Sequence, residues 1–233
     1  MKRSPFALVV CLSLLHVAAS VDCAHAAFKA YFVPAGTTGN TDYTGSVGMD
    51  FNVGASAITI TRLGTFDSFI DQGAGGFGTN VIQVAIFNRV TQTIVPGSLT
   101  SFTGNSDPLE GSHRFRDIDD IVLPANFQGS IVAWSYNSTE RLFDAGAGAP
   151  PAGWTTDTGG GLISFVGTGR TGAAGSFPTD VNASGAVNRY GAGTFEFEAV
   201  VTAVPEPTTL TMLGTAAIGA VVPLYRRWRA KVA

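Results

Sequence analysis

The sequence predicts an all-β fold, a single antiparallel β-sandwich of jelly-roll kind built from residues 27–203. Three observations lead to it. Twenty-seven glycines fall in that stretch, about 15% where about 7% is usual. Between them lie short runs rich in Val, Ile, Phe and Thr, bounded by Gly, Pro, Asn and Asp, the pattern of strands and turns. No segment there sustains a 3.6-residue period over three turns, so nothing reads as an amphipathic helix.

In chain order the predicted strands are 27–33, 47–53, 58–63, 81–88, 118–123, 130–136, 162–166 and 194–202. The last alternates most clearly. Phe195, Phe197, Ala199 and Val201 point one way and Glu196 and Glu198 the other, as in an antiparallel sheet with one wet face. In 130–136, Trp134 and Tyr136 share a face of a central strand and read as core. Residues 73–78 and 144–161 read as long surface loops.

The two ends are of a different kind. Met1-Lys2-Arg3 precedes an apolar stretch, 6–19, and a polar stretch ending Ala24-His25-Ala26, the three-part order of a secretory signal. Fourteen apolar residues reach about 21 Å as a helix, short of a hydrocarbon core of about 30 Å, so a cleaved signal is favoured over an anchor. Small residues at Ala24 and Ala26 place the cut before Ala27. Cys23 would suit a lipoprotein signal, but Asp22 stands where a small residue is wanted. Both cysteines, Cys11 and Cys23, precede the cut, and of the three histidines only His113 follows it. No disulfide or thiol chemistry is expected in the mature chain.

At the other end, residues 208–225 are uncharged and mostly apolar, and Arg226, Arg227, Arg229 and Lys231 follow with Trp228 among them. Eighteen helical residues reach about 27 Å, enough to cross a membrane with little tilt. The basic cluster sets that end in the cytoplasm, and both ends agree in placing 27–203 outside. Just before the span stands Pro205-Glu206-Pro207, extended by its prolines.

Pro-Glu-Pro, a short hydrophobic span and an Arg-rich end, in that order over residues 204–233, resemble the PEP-CTERM sorting signal, also catalogued as an ice-binding-protein C-terminal domain. The resemblance implies recognition by an exosortase, a membrane cysteine protease expected to cut near Pro205-Glu206-Pro207. It also implies a Gram-negative, exopolysaccharide-producing host and release to the surface or matrix. In the body, Leu63-Gly64-Thr65-Phe66-Asp67, Val84-Ala85-Ile86-Phe87-Asn88, Leu123-Pro124-Ala125 and Ile131-Val132-Ala133-Trp134-Ser135-Tyr136 are loosely similar to a DUF4082-like exported β-sandwich module. That similarity implies a fold and no activity.

Residues 27–203 carry eight basic against fifteen acidic side chains, a net charge of about −7, which disfavours phosphate backbones and anionic lipid as partners. One histidine and no G-x-S-x-G elbow leave no basis for a nucleophile triad, and one histidine without cysteine little for zinc. His113, in Gly111-Ser112-His113-Arg114, reads as a surface residue. Glu196 and Glu198, about 7 Å apart on one strand face, have a spacing that glycoside hydrolysis can use, against the simpler reading of an outward polar face. Asp117, Asp119 and Asp120 offer oxygen ligands to a structural calcium, against solvated charges answering Arg114 and Arg116.

For carbohydrate contact, Trp154 is the first candidate, with Tyr43 and Tyr190 behind it; packing over the sandwich edge is the competing role for Trp154. Asn137-Ser138-Thr139 and Asn182-Ala183-Ser184 read as turns, and Thr59 with Thr61 is a pair, not an ice-binding array. The expectation is an exported, membrane-tethered surface or matrix protein without catalytic residues, cofactor or metal, associated with exopolysaccharide. The alternatives are a secreted carbohydrate-active enzyme using paired carboxylates and a purely structural spacer.

Overall fold

β-Branched and aromatic residues between glycine-rich turns form strands throughout the computed structural model, which describes residues 27–68, 76–146, 150, 152–185 and 188–200. The expected signal peptide (1–26), the sorting motif, the 208–225 span and the basic tail lie outside the described residues. Among the described residues there is no helix, and so none long and apolar enough to cross a membrane.

Sixteen strands follow one another among the described residues. The first run splits into β1 (Phe28–Lys29) and β2 (Tyr31–Phe32). The long β3 (Ser46–Val53), β4 (Ile58–Phe66) and β5 (Ile82–Asn88) come next, then the short β6 (Thr93–Ile94), β7 (Thr100–Phe102) and β8 (Leu109–Glu110). β9 (His113–Leu123) and β10 (Gln128–Trp134) are long; β11 (Phe143–Asp144) and β12 (Thr155–Thr156) are short. β13 (Ile163–Gly172), β14 (Asp180–Val181), β15 (Tyr190–Gly191) and β16 (Gly193–Ala199) complete the order.

One sheet runs β1-β16-β4-β9-β8 and the other β14-β13-β3-β10-β5-β6, with β7 also on β5; β11-β15 and β12-β2 are small ribbons. Every pairing is antiparallel. Consecutive long strands alternate between the two main sheets except β10 and β13, which share one. β1 lies on β16 with Phe28 opposite Phe197, so the body starts and ends at the same edge.

The period-2 pattern decides which faces meet. Val47, Met49, Phe51 and Val53 of β3 turn inward with Ile131 and Ala133 of β10, and Leu63, Phe195 and Phe197 meet them from the other sheet. The Phe51 and Phe195 rings lie 4.8 Å apart across the layers. Each fully buried Phe or Ile of this kind contributes about 1.5–3 kcal/mol.

The outer faces are covered too. Ala85, Phe87, Val132, Trp134 and Phe177 form a second apolar cluster outside the larger sheet. Trp134 and Tyr136 therefore do not share a face, a correction to the sequence reading: Ser135 sits at φ 75°, which breaks the alternation and turns Tyr136 into the main core. Outside the smaller sheet, Phe115 is fully buried near Gly64, where an added Cβ would stand 2.9 Å from its ring.

Candidate functional site

Across the smaller sheet, charges that are far apart in sequence form a closed ring. Lys29 Nζ lies 2.8 Å from Glu110 Oε2 and 3.1 Å from Glu196 Oε1. Arg62 Nη1 donates to Glu110 Oε1 at 2.8 Å and to Glu196 Oε1 at 3.2 Å, and Arg62 Nε lies 3.1 Å from Asp117. The Arg62 guanidinium sits 4.9 Å from the Phe115 ring centre, so an apolar floor supports the ring of charge.

The electrostatics follow from the contacts. The Glu110 hydrogen bond, opposed by partial burial, raises the Lys29 pKa, with Glu196 adding to it. Burial alone would lower Arg62 and raise Glu110, but the ion pairs outweigh it and move both the other way.

Glu196 does not lie on a wet face as expected. It is 6% exposed, because β1 and β4 flank β16 and their cations neutralise it. The carboxylate it meets, through Lys29 and Arg62, is Glu110; the register shift beside it leaves the extra residue, Thr61, on β4. Lys29, Arg62 and Glu110 escaped the sequence reading because nothing local links β1, β4 and β8.

His113 is fully buried, where a surface residue was expected. Phe66 and Phe115 flank its ring, and Ser112 ties the adjoining turn to Val33 O (2.9 Å) and Pro34 O (2.6 Å). Neither ring nitrogen has a hydrogen-bond partner, and burial lowers its pKa to about 3. The neighbouring arginines answer other carboxylates than expected: Arg114 meets Asp67 at 2.6 Å and Arg116 meets Asp107 at 2.6 Å. Asp117, Asp119 and Asp120 are exposed along β9, and among the described residues no three His, Cys, Asp or Glu side chains converge as a metal-ligand set.

The aromatic candidates gather at the end of the sandwich where β16 begins. Trp154 is partly buried, its ring centre 6.1 Å from Phe143 and its edge over Gly191. It therefore packs over the edge, half-buried against the main core. On the neighbouring pair of the same ribbon, Arg189 holds Asp144 through two 2.7 Å bonds and lies 5.2 Å from the Tyr190 ring centre. Tyr190 is buried and accepts from Asn182 Nδ2 at 2.8 Å; Tyr43 is partly buried and donates to Gly172 O at 3.0 Å. The Asn137 amide bonds Asn80, Thr139 and Glu140, the work of a turn residue.

Beyond the last described strand, residues 203–229 match a family model, the PEP-CTERM protein-sorting motif. This chain carries an exosortase sorting signal. The PEP-CTERM match contains Pro205, Glu206 and Pro207, the apolar stretch 208–225, and Arg226, Arg227 and Arg229; Lys231 lies just beyond it. The motif marks the chain as an exported protein, sorted by exosortase and anchored at the membrane through its C-terminal segment. The match does not extend into the sandwich. No curated protein and no solved structure matches the chain.

Proposed function

We propose that this is a non-enzymatic surface or extracellular-matrix protein, whose sandwich is exported by its signal peptide, tethered with its C-terminus in the cytoplasm, and retained by exopolysaccharide after release. The PEP-CTERM motif at residues 203–229 carries the reading. The placement of Trp154 supports it. The chain leaves the sandwich at the far end of β16, about 20 Å from the end where Trp154 stands. A half-buried Trp154 packed on Phe143 at that end offers an aromatic surface of the kind a sugar ring stacks on.

The second reading, a carbohydrate-active enzyme, draws on the approach of Glu110 and Glu196. Against it, a general acid needs a raised pKa, whereas the two cations hold Glu110 below the ordinary carboxylate range. A glycan array and a hydrolysis assay on the exported protein separate the two. Binding without turnover, lost in Trp154→Ala, is the expected result. Turnover abolished by Glu196→Gln or Glu110→Gln establishes the enzyme instead.

A further inference from the structure

The end of the sandwich from which the chain departs is one interlocked platform. Val200 N donates to Ala57 O at 3.2 Å, Gly54 N to Leu162 O at 2.7 Å, Asn126 N to Gly54 O at 2.8 Å and Val53 N to Phe127 O at 2.8 Å. The loops 54–57, 124–127 and 158–162 are thereby held together beside the exit of β16. They contain no charged side chain, on a body of net charge about −7; the exposed Asp157 at their rim accepts from Gly159 N at 2.8 Å. Their exposed residues, among them Ala55, Ala125 and Gly160, are small.

Pro205 follows Val200 by five peptide steps. Fully extended, they reach at most about 18 Å. A small folded domain is about 30 Å across. A folded protein that closes around Pro205-Glu206-Pro207 is therefore held within reach of this platform. A surface of short, uncharged side chains accepts such an approach without stripping water from an ion.

We propose that the platform formed by loops 54–57, 124–127 and 158–162 is a docking surface for the sorting protease, engaged while it reads the PEP-CTERM motif. The inference rests on the exosortase reading above and deepens it: the enzyme recognises a neutral face of the folded body as well as the linear signal. A substrate with a charged platform is processed slowly even though its motif is intact.

The test uses the full chain co-expressed with its exosortase, with the fraction of shortened product followed over time. The pairs Ala55→Glu/Ala125→Glu and Ala55→Lys/Ala125→Lys are each expected to slow processing roughly tenfold. The pair Ala173→Glu/Ala174→Glu, exposed at the opposite end, leaves it unchanged. A spacer of about twenty Gly and Ser residues inserted after Val200 lifts the reach limit and restores processing of both slowed pairs. Unslowed processing of the platform variants, equal slowing by the opposite pair, or no rescue by the spacer each overturns the proposal. Slowing by Glu with acceleration by Lys assigns the face to anionic lipid and overturns it as well. If the unaltered chain is not shortened at all, the sorting reading itself fails, a separate outcome. Unchanged thermal midpoints of the detergent-extracted variants show that folding is not the cause.

Discussion

Lys29 and Glu196 stand directly opposite each other on β1 and β16, their side-chain charges 3.1 Å apart, so the first strand of the body is fastened to the last. β1 is two residues long, and backbone pairing alone holds such a strand weakly. The ion pair and the Phe28–Phe197 ring contact at 5.5 Å supply the rest. Glu196→Gln leaves Lys29 and Arg62 with one carboxylate fewer in a largely buried setting, and a loss of about 2 kcal/mol is expected in chemical denaturation. Lys29→Met, at a more exposed position, costs about 0.5 kcal/mol. A larger loss for Lys29→Met than for Glu196→Gln contradicts this order.

Arg114 and Asp67 form a deeply buried ion pair, with side chains 5% and 0% exposed. The same carboxylate accepts from Gly76 N at 2.9 Å, and Arg114 also donates to Asp107 O at 2.8 Å. Removing one partner strands a buried charge. Asp67→Ala is expected to cost about 3–5 kcal/mol, read as a fall in urea midpoint at unchanged slope. Replacing Arg114 and Asp67 together by Met and Leu costs less than either single loss, which a double-mutant cycle measures.

His113 makes stability depend on pH in a definite sense. Its folded pKa of about 3 lies below the ordinary 6.5, so the unfolded chain binds the proton more readily. The native state is fully favoured above pH 6.5 and loses stability as pH falls from there toward 3, by about 3 kcal/mol at pH 4.5. Glu110, whose pKa is depressed from 4.5, adds its own loss only below that value, so the decline between pH 6.5 and 4.5 belongs to His113. His113→Leu flattens that limb and, by removing two unpartnered polar atoms, raises stability at pH 7 by about 1–2 kcal/mol. Thermal midpoints across pH 4.5–7.5 check both effects.

Gly111 lies at φ 63°, with the Val33 carbonyl and the Phe32 ring against its α-carbon. Gly111→Ala meets both a strained backbone and a steric clash, and about 2 kcal/mol of destabilisation is expected. Gly36→Ala, at φ 77° with open space around it, isolates the backbone part at about 1 kcal/mol. Equal losses at the two sites show that the packing of residues 32–34 over Gly111 contributes nothing.

Much of this architecture was legible from alternation. All eight sequence runs contain a strand, because a residue's inward or outward direction along an extended chain is set by its parity. The short strands β6, β7, β8, β11, β12, β14 and β15 were missed, since two or three residues carry no period. The first half of β9 was missed for another reason. Arg114, Arg116 and Asp117 read as loop chemistry, yet Asp67, Asp107 and Arg62, brought from elsewhere in the chain, neutralise them on a strand. Trp154 was legible as a candidate but not its setting, which Phe143 and Gly191 supply from two separate segments.

By itself the sequence determined what is linear: a strand-forming body between two apolar end segments, and a sorting motif read as a contiguous string. Only the tertiary structure decided that His113 is buried, that Glu196 meets Glu110 through Lys29 and Arg62, and that loops 54–57, 124–127 and 158–162 come together beside the chain's exit. The reason is physical. Side-chain direction and hydropathy act over a few neighbouring residues, whereas burial and charge pairing depend on strand order, which joins positions as distant in sequence as Lys29 and Glu196, 167 residues apart.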